Sequence, residues 1–322
     1  MPDIFYNKSQ RLRSGWRLSV FIVALLVLSI ALILLLQFTL ASILSKATFN
    51  WLYGESDWAF IIQSTITFSL AAFVAWGCGQ ILEDLPWRAL GWTRHQGWMR
   101  DALMGLIIGG AAVFVAALIG VVAGGYQITY GAPDAYDLAS TLVSSGFIFL
   151  LGAAGEEMTF RGYPLQTLMR SWPIAPALVF SSITFGLAHM GNPNVVPVFT
   201  LVNTTLAGAW LAVAYWRTRS LWFPLGLHFG WNWAQGSLLG SPVSGITSIT
   251  PHTLLRFQDN GPAWIGGGAY GIEGGAACTL AIALGTLFVW RTRVLHATPE
   301  LRHFTDGENP GAGSATLSGL RG

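Results

Sequence analysis

Apolar residues run almost unbroken from Leu18 to about Leu44, behind a basic stretch that carries Lys8, Arg11, Arg13 and Arg17. A secretory signal peptide has a shorter apolar core, roughly 7–15 residues, followed by a small-residue cleavage site. The run at 18–44 is therefore read as a retained first membrane helix. Seven more stretches approach the roughly 20 apolar residues a helix needs to cross a bilayer. They lie near 58–82, 101–125, 138–162, 174–190, 194–216, 221–240 and 276–292. Glycines, prolines and polar residues interrupt the fourth, fifth and seventh, and two of the set are short. The pattern predicts an all-α, polytopic bundle of about eight transmembrane helices.

Charge tests that count independently, because Lys and Arg collect in cytoplasmic loops. With the N-terminus inside and Arg161 set aside, fourteen Lys and Arg fall on the inner side. Two, Lys46 and Arg256, fall outside. Dropping one span would destroy this bias, so both termini are expected in the cytoplasm. Most loops are short. The exception is the outer segment 241–275, rich in Gly, Pro, Ser and Thr, which is expected to fold against the outer face in a form the sequence does not specify. Residues 1–300 read as a single membrane domain and 301–322 as a polar, Gly-rich, disordered cytoplasmic tail.

Composition narrows the class. The chain has 322 residues, 53% hydrophobic and only 10% charged, against about 25% charged in a soluble domain. A net charge of +2 gives no footing for nucleic acid. The expected partners are the lipid bilayer and a peptide or membrane-protein substrate, in the cell inner (cytoplasmic) membrane. Cys78 and Cys278 lie far apart in apolar segments, with no CxxC pattern, so neither a disulfide nor a redox role is expected.

Against this background the stretch "FIFLLGAAGEEMTFRGYPL", residues 147–165, stands out. Charges at bilayer depth cost several kcal/mol each, yet the fourth span holds Glu156, Glu157 and Arg161. The fifth holds His189 in "FGLAH", and the seventh holds His228 and Asn232 in "HFGWN". Glu157 and Arg161 are spaced i, i+4 and can form an ion pair on one helix face. Their expected task is to orient and charge-balance the site. Glu156 is turned about 100° away and is free to face a cavity. His228 and Asn232 also share a face, where two donors can hold one oxygen. The set suits hydrolysis: Glu156 as general base with His189 sharing the water, and His228 with Asn232 stabilising an oxyanion. Glu156, His189 and His228 also make an alternative ligand set for Zn²⁺, although no HExxH motif is present. A lone intramembrane His can be a plain interhelical contact, and proton or solute transport uses similar residues. No transporter-like internal repeat appears. Phe185 is expected to pack beside His189, while His95, His252, His296 and His303 are expected to face solvent.

"EEMTFR" has the form EExxxR, "FGLAH" the form FxxxH and "HFGWN" the form HxxxN. Together and in this order, the three resemble the CPBP family of intramembrane proteases, which includes the type II CAAX prenyl endopeptidases. The matching core runs from about 137 to 240. "LGW" before the third span and "GPAW…GGAYGIEGG" after the seventh look like bacterial members, less specifically. The resemblance implies an eight-helix bundle with a conical cavity opening toward the cytosol. It also implies a water positioned by Glu156 and His189, and an oxyanion hole of His228 and Asn232. The family has been described both as glutamate proteases and as metalloproteases, so the metal stays open. A non-proteolytic scaffold or immunity factor of the same fold is the other reading.

Overall fold

Polar residues at the ends of the apolar runs set where helices begin. The Ser56 hydroxyl accepts from the Ala59 N–H (3.2 Å), and the Asp134 carboxylate accepts from the Asp137 N–H (2.8 Å). Such caps satisfy N–H groups that have no partner in the first turn. The computed structural model describes residues 4–7, 10–53 and 56–306. In chain order the helices are α1 (Ser14–Ile43), α2 (Lys46–Tyr53), α3 (Asp57–Glu83), α4 (Trp98–Val122), α5 (Ala135–Glu157) and α6 (Tyr163–Met169). They continue with α7 (Ile174–Ala188), α8 (Pro197–Thr218), α9 (Trp222–Trp233), α10 (Ala263–Gly266), α11 (Ala276–Arg291) and α12 (Pro299–Thr305). One antiparallel pair of short strands, β1 (Gln127–Tyr130) and β2 (Leu255–Gln258), is joined in the register Gln127↔Gln258 to Tyr130↔Leu255. The molecule is an all-α, multi-pass membrane bundle.

Among the described residues, six helices rather than eight are long and apolar enough to cross a membrane. The two expected spans that fall short are α9, 12 residues long, and α11, 16 residues long. For α9 the cause is visible. The link from α8 is not a surface loop: Arg219 is 7% exposed, and Ser220 and Leu221 are fully buried. The Leu221 N–H donates to the Gly91 carbonyl (2.9 Å), and Arg219 pairs with Asp306 (3.1 Å) just beyond α12. So α9 starts beneath the surface and needs fewer residues. A π-helical turn, Ala234–Leu238, extends it.

The end of the bundle where α1 starts and α3, α6 and α8 finish is bound by charge. Glu83 accepts from Arg170 and pairs with Arg17, each at 3.0 Å, with all three side chains about 1% exposed or less. This is the basic end of the bundle. Several expectations need correction here. Arg17 and Arg170 are buried struts rather than loop charges. His95 is also buried, 3.5 Å from Asp101, whereas His252 and His296 are exposed and His303 is half-buried. The tail expected from 301 begins as helix α12, and residues 307–322 lie outside the described residues. Cys78 and Cys278 are buried free thiols.

The helices approach closely through small residues, as membrane bundles do. A methyl group on Gly109 of α4 would sit 2.0 Å from the Leu227 carbonyl oxygen of α9. One on Gly230 of α9 would sit 2.2 Å from the Leu106 carbonyl oxygen of α4. Backbone meets backbone, so nothing can yield by rotating. Gly186 on α7 is crowded by a side chain instead, the Thr205 hydroxyl of α8. We expect Gly230→Ala to cost at least about 1–3 kcal/mol through overpacking, seen as a lower thermal unfolding midpoint in detergent. Gly15→Ala, where nothing lies within 4 Å, should leave the midpoint unmoved. Equal midpoints for the two variants would refute the close α4–α9 contact.

Candidate active site

Pro164 explains the local shape of the first motif. Proline has no N–H to donate back to Phe160, and its ring crowds that carbonyl. The helix widens here into a π-helical turn over Met158–Gly162 before α6 resumes. Such turns recur at functional sites. This one follows directly on Glu156 and Glu157.

Glu157 and Arg161 are both fully buried and form the expected ion pair, Oε1 to Nη1 at 3.1 Å. The same Oε1 accepts from His228 Nδ1 at 2.9 Å. The other arm of Arg161 donates to the Gly208 carbonyl of α8 (3.1 Å), and its guanidinium lies 4.3 Å from the centre of the Phe185 ring. Phe185 packs beside His189 at a ring separation of 4.4 Å. One carboxylate oxygen thus joins α5, the π turn and α9.

Glu156 points the other way. Its side chain is 38% exposed and lines a cleft of about 320 Å³. Its Oε2 lies 3.7 Å from His189 Nε2 and 3.8 Å from His228 Nε2. His189 Nδ1 lies 2.8 Å from the Phe185 carbonyl, an acceptor, so that nitrogen carries the proton and Nε2 is left facing Glu156. Glu157 fixes the His228 ring in the same sense. Asn232 lines the cleft and also a smaller inner cavity of about 40 Å³, and so does His189. The structure therefore gathers all six expected residues. Counting residues from the helix starts puts His189 deeper than His228; the two meet because α7 starts at Ile174, directly after Pro173, whereas α9 starts deep.

Zinc fits this arrangement poorly. Two ligands of one tetrahedral zinc stand roughly 3.4 Å apart given bonds near 2.1 Å, closer than the 3.7 and 3.8 Å found here. Among the described residues no group of His, Cys, Asp or Glu has metal-ligand spacing. The Oε2 atom of Glu156 is buried and takes no hydrogen bond from the protein.

Glu273 and Ser244 were not anticipated. Glu273 lies in the long segment before α11. Its Oε1 accepts from Trp231 Nε1 (3.1 Å), and its Oε2 accepts from the Ser244 N–H (2.6 Å) and hydroxyl (3.1 Å). Burial pushes its carboxyl above the usual range, opposed by the Ser244 N–H and the nearby His189. Both residues line the inner cavity, and Ser244 the cleft as well. The one signal in the sequence is an acid set among glycines, "YGIEGG". That stretch has no helical period from which to infer that it folds inward.

The cleft runs between α3, α5, the end of α7 and the segment after α9. Its walls include Phe60 and Ser64 from the first turns of α3, Asn192 beyond α7, and Val243, Ile246 and Ile249 from the segment after α9. All of these belong to the end opposite the basic end.

Arg161→Met should strand the buried Glu157 carboxylate, at a cost of about 3–5 kcal/mol, read as a lower thermal midpoint. Adding Glu157→Gln should recover much of that loss, because no charge is left unpaired. A double variant no more stable than the single would show that the pair is not what holds this layer together.

The family model described as type II CAAX prenyl endopeptidase Rce1-like matches residues 138–234, a segment holding all six motif residues. No curated protein and no solved structure gives a match. The order of the motifs, their meeting in one cleft and this match agree. Through residues 138–234, under a third of the chain, the protein is similar to the type II CAAX prenyl endopeptidase Rce1-like family, which supports the likeness to the CPBP group.

Proposed function

We propose that the chain is an intramembrane endopeptidase that hydrolyses a peptide bond with a water activated by Glu156 and His189. The observation that carries this reading is the position of Glu156 Oε2, a buried acceptor set between two imidazole Nε2 atoms at 3.7 and 3.8 Å. In this mechanism Glu156 takes a proton from the water while His189 Nε2 accepts its second hydrogen bond. The water oxygen adds to the carbonyl carbon of a peptide lying in the cleft. The resulting oxyanion is held by the Asn232 amide and by the His228 ring as imidazolium, donating from Nε2 with its Nδ1 proton on Glu157. Glu156 then returns the proton to the amide nitrogen, the C–N bond breaks, and an amine and a carboxylic acid leave. Glu157 and Arg161 never touch the substrate; they fix the ring that does.

Glu156→Gln, which keeps the shape and removes the base, should abolish cleavage of a fluorogenic peptide library by the purified protein. Asn232→Ala should lower kcat by about 10²–10³, the usual cost of one oxyanion donor. Cleavage by the wild type should survive a strong chelator. Loss in chelator that is restored by Zn²⁺ would replace the glutamate mechanism with a metal one. Absence of cleavage, together with a Glu156→Gln protein that still performs its cellular role, would make the chain a scaffold.

A further inference from the structure

We infer that Trp92 is a positioning residue of the active site: its indole, presented by the "LGW" turn, keeps the π turn behind Glu156 and Glu157 in register with α9, which carries His228. Its part in catalysis rests on the protease reading; its part in the geometry does not.

The "LGW" stretch, Leu90 to Trp92, lies in the link between α3 and α4. Leu90 is buried in one core cluster with Met158 and Tyr163. Gly91 has φ +95°, a conformation that suits glycine, and a methyl group there would lie 2.8 Å from Leu221 Cγ. With no side chain in the way, the Gly91 carbonyl accepts from the Leu221 N–H (2.9 Å) just before α9. The Thr93 carbonyl accepts from Nε1 of Trp222 (3.1 Å), the first residue of α9. The turn on either side of Trp92 is thus fastened to the start of the helix that holds His228.

Trp92 itself reaches both halves of the site. Its ring meets Trp222 edge-on, with centroids 5.1 Å apart. Its Nε1 donates to Met158 Sδ at 3.2 Å. Met158 is fully buried and opens the π turn, Met158–Gly162. Its sulfur lies across that turn against Gly162, where a methyl group would come within 2.8 Å of it. The indole N–H therefore pins the side chain that spans the turn from first residue to last. Pro164 widens the helix from one side, and Trp92, through Met158, holds the widened turn from the other. The extra residue of a π turn can be taken up one position earlier, and that move rotates the residue it passes by about 100°. Such a shift would swing Glu157 off the His228 ring, which it meets at 2.9 Å, and Glu156 out from between the two imidazoles. Trp92 does not line the cleft, so it acts through these residues and not on the substrate.

Two variants of the full-length protein that keep apolar bulk test this in detergent. Trp92→Phe removes the N–H, and Met158→Leu removes its acceptor. Each should lower kcat on the fluorogenic peptides by about tenfold or more, since a small misplacement from a remote change can cost about 10²-fold, and leave KM unchanged. The double variant should be no slower than either single one, because both break the same contact. An unchanged kcat in Trp92→Phe overturns the inference, and so do losses that multiply in the double variant. Nitrogen-15 histidine NMR reads the geometry without catalysis. The His228 Nδ1 proton, assigned by its loss in His228→Asn, should stand downfield in the wild type because it is bonded to a carboxylate. In Trp92→Phe it should move upfield or be lost to exchange with water; an unmoved signal overturns the inference. If the wild type cuts no peptide, the protease reading has failed, and the NMR comparison still decides whether Trp92 sets the His228–Glu157 contact.

Discussion

A single oxygen, Oε1 of Glu157, carries the arrangement. The side chain is fully buried, so its charge has no water to solvate it, and it is kept by Arg161 on one side and His228 on the other. Taking either partner away would leave a desolvated charge, which costs far more than the net gain of forming the pair. Helices α5 and α9 are therefore locked in register at this level. Arg161 reaches on to the α8 backbone at Gly208 and lies against Phe185 of α7. Four helices converge on one carboxylate.

Glu156 gains its freedom from that constraint. As the next residue on the helix it is rotated about 100° from Glu157. If Glu157 must face inward to its cations, Glu156 must face the cleft. Two adjacent acids would repel on a shared face; here one is neutralised in the core and the other looks out between two imidazoles. His189 reaches it because α7 ends there, and His228 because α9 begins below the surface.

Glycine seams make the depths compatible. Close contact of α4 with α9, through Gly109 and Gly230, sinks α9 into the bundle and carries His228 to the level of Glu157. Glu273 and Ser244 then close the inner side of the site from the long segment between α9 and α11, Glu273 within a short 3-10 turn, Ile272–Gly274. Glu273 is a buried acid with three donors, and it makes that segment part of the site rather than a surface loop.

The sequence by itself determined the membrane bundle, the positions of six long spans, the Glu157–Arg161 pair and the likeness to the CPBP family over residues 138–234. Each of these depends on local quantities: an apolar run long enough to cross a bilayer, a spacing of four on a helix, three short motifs in order. Six of the site residues were legible for the same reason, since a charge or imidazole inside an apolar run is conspicuous. Only the tertiary structure decided where α9 begins, that His95 is buried, and that Glu273 and Ser244 belong to the site. It also decided that the cleft is walled from the end opposite the basic one. These follow from which backbones approach closely and how far one helix sinks against another. Contacts between residues as distant in sequence as Gly109 and Leu227, or Ser244 and Glu273, leave no period in the chain from which they could be read.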